Sequence, residues 1–372
     1  MKTVKRNILL NPGPGTTSDE VKQALVVPDI CPREKEFCDL MDGIKQDLPR
    51  VVNGGEDYTA VLFTSSGTGG VEAAITSAIP ESGKLLIVEN GAYGTRIKQI
   101  AVRYRIPFVA YTLPYGDFPD VDQIKSILEQ DTAITHLAII DHETTTGMRN
   151  PVAEVCQLAH SKQVEVIVDC MSSYAGLPID LQDWQAEYIV SSSNKCIQGM
   201  AGLSFVIFKK NLLEKIQHNT RSFYFDLHAQ HEGFFQTGQM QFTPPVQVVY
   251  ALRKALDLFF EETAVGRIQR YRKNYEILYK GLKRLGFDFL LPDQYQSGIL
   301  LAVKEPSNPE YDFTAMHDYL YERGFTIYPG KGAKEATFRL SVLGDLYAED
   351  IQSFLVEMKN YLDVSGIHKI TY

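Results

Sequence analysis

The chain has 372 residues, 44% of them hydrophobic and 22% charged, and its formal net charge is −9. This length supports a large core and a second domain, and the acidic balance argues against a nucleic-acid-binding protein. No apolar run approaches the roughly 20 residues of a membrane span, and the first apolar run is too short for a secretion signal. The five cysteines show no CxxC spacing, which suits reduced thiols. Together with the acidic charge and the short apolar runs, this predicts a cytoplasmic protein without nucleic-acid or membrane partners.

Short apolar runs alternate with amphipathic patterns along the first 210 residues. The apolar runs predict strands at 60–63, 85–88, 108–111, 137–140, 166–168, 188–190 and 202–208. The patterns between them predict helices at 71–78, 121–128 and 152–159. Such alternation is typical of an α/β fold, here with a mostly parallel seven-stranded sheet covered by helices on both faces.

The pattern changes after about residue 243. A long helical stretch covers 246–285 and is interrupted near 263–266. A smaller α+β set follows, with strands predicted at 299–302 and 337–340 and helices predicted at 313–323 and 348–362. We therefore expect a large domain of residues 16–260 and a small domain formed by residues 1–15 and 261–372.

Two ionisable residues end neighbouring apolar runs. Asp169 closes the run Ile167-Val168-Asp169, and Lys195 follows Ser191-Ser192-Ser193-Asn194. In a parallel sheet both would lie at the carboxyl edge, where α/β proteins bind ligands. A lysine there can form a Schiff base with pyridoxal phosphate while the aspartate pairs with the protonated pyridine nitrogen. A structural ion pair at the sheet edge is the alternative.

A Gly/Ser-rich turn supplies a candidate phosphate site. Ser66, Gly67 and Thr68 follow the strand at 60–63 and open the helix at 71–78. The glycine permits close backbone approach, the hydroxyls can donate, and a helix N-terminus favours an anion. The turn fits neither of the common nucleotide-binding motifs, and it would otherwise be an ordinary turn.

Three further residues are candidates for contact with the cofactor ring. Tyr93 follows a strand and could stack on one face of the ring, while Met171 could approach the other face. Thr144, in a run of three threonines, could reach the ring edge, although threonines in turns commonly cap helices. His142 is expected to be a structural hydrogen-bonding residue, and no cluster has the spacing of a metal site.

Several segments together resemble the class V aminotransferases, which are fold-type I pyridoxal phosphate enzymes. They keep their order over nearly the whole chain and are Leu9 to Pro14, Ser66 to Thr68, Asn90 to Gly94, Glu143 to Met148, Val168 to Ser173, Ser193 to Gly199, and Phe325 to Lys331. The resemblance implies a homodimer with active sites at the subunit interface. It also implies that Thr243 reaches the partner's cofactor phosphate and that Arg339 binds substrate. Met240 departs from the family pattern, and the loop 226–238 cannot be matched to it.

The resemblance implies an activity as well. It is closest for enzymes that move the amino group of 2-aminoethylphosphonate to pyruvate, which gives phosphonoacetaldehyde and L-alanine. Alanine–glyoxylate or serine–pyruvate transamination on the same scaffold stays open. A cysteine desulfurase would need a nucleophilic cysteine late in the chain, and none follows Cys196. A cofactor-binding regulator would need a DNA-binding module, for which the sequence has no spare segment.

Overall fold

A computed structural model describes residues 6–332 and 335–372. Its main feature is a seven-stranded sheet, and the predicted α/β fold class is confirmed. The order of the strands across the sheet is Tyr58–Thr64, Leu203–Lys209, Tyr188–Ser192, Glu165–Asp169, His136–Ile140, Leu85–Glu89 and Phe108–Thr112.

One strand of this sheet runs against its neighbours. Leu203–Lys209 pairs antiparallel with Tyr58–Thr64 and with Tyr188–Ser192, whereas the other pairs are parallel. Parallel neighbours need a crossover of a dozen or more residues, usually helical. The short link after Ser192 has no helix, so the chain turns back beside the strand it has just left, and this link carries Lys195.

Helices cover both faces of the sheet. Successive residues of one strand, such as Leu86 and Ile87, belong to two different buried clusters, one on each face of the sheet. Each fully buried aliphatic side chain contributes about 1.5–3 kcal/mol to folding. The α-helices are Asp19–Gln23, Lys35–Arg50, Gly67–Ala78, Ala92–Arg103, Val121–Gln130, Val152–Ser161, Leu181–Trp184, Leu213–Ile216, Leu227–Thr237, Val246–Glu262, Ala264–Arg284, Phe313–Glu322 and Ala348–Val364. The segment 226–238, expected to be a loop, is a helix instead: Asp226 caps it by accepting from Ala229 N at 2.9 Å, and Gly238 ends it with a φ of +70°.

A second, three-stranded antiparallel sheet lies in the C-terminal part, in the order Leu300–Lys304, Thr337–Ser341, Tyr328–Pro329. The N-terminal strand Ile8–Leu9 pairs in parallel with Phe325–Thr326, so these N-terminal residues pack within the C-terminal part of the structure. A small hairpin of His142–Glu143 and Met148–Arg149 completes the strands. The division of the chain at residues 16 and 260 stays a prediction.

The predicted interruption of the long helical stretch is present at one residue. Thr263 has a φ of +69° and separates Val246–Glu262 from Ala264–Arg284. Its side-chain oxygen accepts a hydrogen bond from Gly266 N at 3.1 Å, which caps the second helix. The break is therefore a helix boundary with its own cap.

Candidate active site

A cavity of about 200 Å³ opens at the carboxyl edge of the large sheet. This is the position at which open α/β sheets bind ligands. It brings together side chains from five separate parts of the chain, and the residues that line it are Ser66, Gly67, Thr68, Val71, Tyr93, Arg96, Ile140, His142, Thr144, Asp169, Met171, Ser172, Ser192, Asn194 and Lys195.

Asp169 is the last residue of its strand and lies at the bottom of the cavity. Its register partners are Ile140 and Val190 on the two neighbouring strands. One carboxylate oxygen accepts a hydrogen bond from Met171 N at 2.8 Å. Burial, followed by the nearby charge of Glu143, raises the pKa of Asp169 to about 6. A carboxylate in this position is stabilised by a bound cationic group.

Lys195 lies on the link between the two antiparallel strands. Its Nζ donates a hydrogen bond to the carbonyl of Pro12 at 2.6 Å, and Gly15 N donates to the carbonyl of Asn194 at 3.1 Å. The N-terminal segment therefore lies against the lysine. Burial lowers the pKa of Lys195 more than the nearby Tyr93 and Asp169 raise it, which favours a neutral amine at lower pH than for an exposed lysine.

The helix Gly67–Ala78 points its N-terminus into the cavity. Its N-cap residue, Ser66, makes no side-chain hydrogen bond to the first turn, which leaves the amides there to bind a ligand. A Cβ on Gly67 would lie 2.2 Å from the sulfur of Met171, so the glycine lets the Met171 side chain lie directly against this turn. Arg96 Nη1 donates to the hydroxyl of Thr68 at 3.1 Å and adds a positive charge. The group is suited to a phosphate.

Tyr93 lies close to two cations. The guanidinium of Arg96 and the Nζ of Lys331 each lie 4.8 Å from the centre of its ring. Burial would raise the pKa of Tyr93, but the hydrogen bond with Thr144 and the positive charges around the hydroxyl outweigh it, and the pKa is lowered. Tyr93 is thus placed by charge as well as by packing.

Glu143 fixes the first turn of the helix Ala92–Arg103, which carries Tyr93. Its Oε2 accepts from Tyr93 N at 3.2 Å, and its Oε1 accepts from the amide and the hydroxyl of Thr145 at 3.1 and 2.5 Å. The side chain is fully buried, and this burial raises its pKa. The hairpin of Glu143 therefore joins two strand ends of the site.

His142 and Thr144 lie on the same hairpin. His142 Nδ1 is 2.9 Å from the hydroxyl of Ser172, as expected of a structural histidine. Its Nε2 is buried and has no hydrogen-bond partner within the part of the chain that the structure describes. Burial lowers the pKa of His142 to about 3, so the ring is neutral and has one polar atom left for a ligand.

Arg339 lies beside the cavity, behind Thr144. Its Nη1 donates to the carbonyl of Thr144 at 3.3 Å and its Nε to the carbonyl of Pro329 at 3.0 Å. The side chain is 94% buried, and both partners are carbonyls, not carboxylates. Burial lowers the pKa of Arg339, and the nearby Tyr93 opposes that change. A buried guanidinium held by neutral partners is suited to an anionic ligand.

Thr243, like Arg339, is a predicted site residue that is not among those lining this cavity. It is exposed, and its carbonyl accepts from the hydroxyl of Thr64 at 3.3 Å. The sequence assigned it to the site of a partner chain, and that assignment stays a prediction.

Sequence reasoning gave no role to several residues of the site, among them Arg96, Asn194 and Glu143. Arg96 is one of three cationic residues on an amphipathic helix, where a solvent-facing arginine has the same pattern. Glu143 belongs to a recognised segment, but nothing in its spacing predicts complete burial. The polar character of Ser192-Ser193-Asn194 at a strand end was the available signal for Asn194.

The site combines an amine, a buried carboxylate, a helix N-terminus suited to an anion, and an aromatic side chain that can stack on a planar ring. These groups fit pyridoxal phosphate, since the helix end and Arg96 match its phosphate, Asp169 its pyridine nitrogen and Lys195 its aldehyde. The unpartnered Nε2 of His142 lies in the same cavity. Over residues 6–332 and 335–372, no cluster of metal ligands is found and no helix is long and apolar enough to span a membrane.

The sequence matches the family model described as aminotransferase class-V over residues 21–342. It is 40% identical to a 2-aminoethylphosphonate–pyruvate transaminase of Lysinibacillus sphaericus, across 96% of this chain and 98% of that one. Identity to the transaminase of the same description from Syntrophobacter fumaroxidans is 39%, across 96% and 97%. The crystal structure of an alanine–glyoxylate aminotransferase from Nostoc sp. superposes with a TM-score of 0.89 at 26% identity, across 97% and 96%.

Proposed function

The chain belongs to the class V aminotransferase family, and from that premise we propose that it transfers the amino group of 2-aminoethylphosphonate to pyruvate. The products are phosphonoacetaldehyde and L-alanine. The observation that supports these substrates most strongly is the similarity, along almost the whole chain, to transaminases described by this reaction. The positive charge near Tyr93 supports an anionic substrate.

Pyridoxal phosphate is the proposed cofactor. Lys195 would hold it covalently, Asp169 would hold a proton at its pyridine nitrogen, and the Ser66–Thr68 turn with Arg96 would bind its phosphate. When bound, it supplies an electron sink for proton removal at the carbon that bears the amino group. Tyr93, Thr144 and Met171 line the same cavity and would position the ring.

Lys195 is the proposed base. Burial lowers the pKa of its amine, so more of the amine is neutral near pH 7 than in an exposed lysine. A neutral amine at this point can take the proton from the substrate carbon that bears the amino group. As an ammonium group it would then donate a proton to the reactive carbon of the cofactor. The N-terminal segment at Pro12, which already contacts the amine, would exclude water from it.

Arg339 is proposed to bind the anionic end of each substrate in turn. The phosphonate of the amine and the carboxylate of the 2-oxo acid both offer paired oxygens to a planar guanidinium. The two carbonyl partners of Arg339 orient the group but do not neutralise it. One fixed cation can therefore serve both half-reactions.

The test is a substrate comparison with the purified holoenzyme. Amine donors, 2-aminoethylphosphonate and L-alanine, are combined with pyruvate or glyoxylate, and alanine, glycine and phosphonoacetaldehyde are quantified. We expect turnover of the phosphonate with pyruvate to exceed that of alanine with glyoxylate by at least 10-fold in kcat/KM. If turnover of alanine with glyoxylate exceeds that of the phosphonate with pyruvate, this function is replaced by alanine–glyoxylate transamination, the activity for which the similar Nostoc sp. structure is named.

A homodimer is also proposed. Thr243 is exposed and does not line the cavity of its own chain, which suits a residue that acts in a partner's site. Thr243→Ala should weaken cofactor binding although it leaves that cavity intact, as measured by an absorbance titration of the dimer. Unchanged cofactor affinity would remove Thr243 from the site.

A further inference from the structure

Two cations lie at neighbouring strands of the three-stranded sheet, one within a strand and one just after a strand ends. Arg339 lies in Thr337–Ser341 and is the register partner of Tyr328. Lys331 follows two residues after the strand Tyr328–Pro329 ends. The register therefore brings the start of the Lys331 loop to the strand that carries Arg339.

The backbone before Lys331 is closely constrained. Gly330 N donates to the carbonyl of Thr337 at 2.6 Å. A Cβ on Gly330 would lie 2.3 Å from that same carbonyl oxygen, a distance that no side chain tolerates. The position of Lys331 relative to Arg339 is consequently set by the sheet.

The side chain of Lys331 returns toward the site. Its Nζ lies 4.8 Å from the centre of the Tyr93 ring. Lys195, Lys331 and Arg339 are the cations whose charges lower the pKa of Tyr93. Among the described residues, no carboxylate forms an ion pair with Lys331, and Glu143, a buried acid of the site, accepts hydrogen bonds from two amides and a hydroxyl.

Charge at this end of the site exceeds what one carboxylate would balance. A carboxylate carries one negative charge, whereas a phosphonate carries up to two near neutral pH and has a third oxygen. Arg339 can hold two oxygens of either group, which leaves one phosphonate oxygen without a cation. Resting on the function proposed above, we propose that Lys331 binds this remaining oxygen and so selects phosphonate over carboxylate amine donors.

A purely structural role for Lys331 is the competing explanation. Its ammonium over the Tyr93 ring would hold the tyrosine in place, and its loss would then affect every substrate equally. Selectivity between two anions distinguishes these explanations, because Tyr93 serves both half-reactions and the phosphonate enters only one.

The experiment uses the holoenzyme with two inert anions, ethylphosphonate and propanoate, as competitive inhibitors. Binding of each is also measured by calorimetry on wild type, Lys331→Met, Lys331→Arg and the surface control Lys280→Met. Lys280 is exposed and pairs with Glu276 four residues away. We expect Lys331→Met to weaken ethylphosphonate at least 10-fold and propanoate less than 3-fold. Lys331→Arg should restore part of the phosphonate affinity, and the control should match wild type.

The outcomes separate this inference from the function on which it rests. If wild type turns over 2-aminoethylphosphonate and Lys331→Met binds both anions as wild type does, the proposed function stands and Lys331 is not a ligand. If Lys331→Met weakens both anions equally, Lys331 holds Tyr93 in place and the selectivity role is wrong. If wild type neither turns over 2-aminoethylphosphonate nor binds ethylphosphonate, both proposals fail together.

Discussion

The two ends of the candidate site are built differently. The cofactor end comes from one sheet, whose register places Asp169 beside the strand that ends at Ser192, just before Lys195. The anion end joins Arg339 and Lys331, on and next to the small sheet, to Thr144 and Tyr93, which follow strands of the large one. Groups at the first end are fixed by adjacent strands, whereas those at the second depend on how two sheets pack. The first end should therefore control whether reaction occurs, and the second which substrate reacts.

The largest effect is expected at Lys195. Lys195→Ala should abolish transamination, because it removes both the covalent anchor and the base while leaving the fold intact. Activity is measured with 2-aminoethylphosphonate and pyruvate, and borohydride reduction followed by mass spectrometry detects covalently bound cofactor. Lys280→Ala, on an exposed helix face, is the control. A cofactor adduct that survives in Lys195→Ala would mean that another lysine is the anchor.

A smaller but still large effect is expected at Asp169. Asp169→Asn keeps the shape and the acceptor for Met171 N but removes the charge opposite the ring nitrogen. We expect turnover to fall roughly 10²-fold or more, the scale of one well-placed electrostatic group. Steady-state kcat measures it, and near-normal turnover would place the carboxylate outside the reaction.

Although Asp169→Asn should lower turnover, the same substitution should increase the free energy of unfolding of the cofactor-free protein. A pKa of about 6, raised from 3.8, means that folding favours the protonated acid. The resulting stability is complete below pH 3.8 and is lost as pH rises through 6, a difference of about 3 kcal/mol. Urea unfolding should therefore show Asp169→Asn gaining on wild type between pH 4 and 6 and keeping that gain at pH 8. A pH-independent difference would contradict the raised pKa.

Arg339 tests the other end. Arg339→Ala should weaken both half-reactions roughly 10- to 100-fold, since a hydrogen bond to a charged group contributes about 1.5–3 kcal/mol. Arg339→Lys should recover part of this, because an ammonium cannot form the paired contact. Single-turnover rates with 2-aminoethylphosphonate and with pyruvate separate the two steps, and the exposed Arg323 supplies a control alanine variant. Damage confined to the pyruvate step would require a separate phosphonate pocket.

The same contrast explains what the sequence could predict. Most strands of the large sheet are short apolar runs buried on both faces, so their positions and those of Asp169 and Lys195 could be predicted from local pattern. Arg339 was assigned only through family resemblance, because its approach to Thr144 spans 195 positions. The ring contact of Lys331 and the burial of Glu143 result from tertiary packing, which no local pattern encodes.

Arg96 should give the smallest effect, and it tests the cofactor end where sequence reasoning missed a residue. Its contact with Thr68 lies at the helix terminus proposed to bind phosphate, so Arg96→Gln removes one charge but leaves the helix amides. We expect cofactor affinity to fall about 10-fold, with kcat at saturating cofactor within a few-fold of wild type. Arg103→Gln, at the exposed end of the same helix, is the matched control. If Arg96→Gln instead lowers kcat while cofactor affinity stays unchanged, its main role is its contact with the Tyr93 ring, and the phosphate depends on the helix terminus alone.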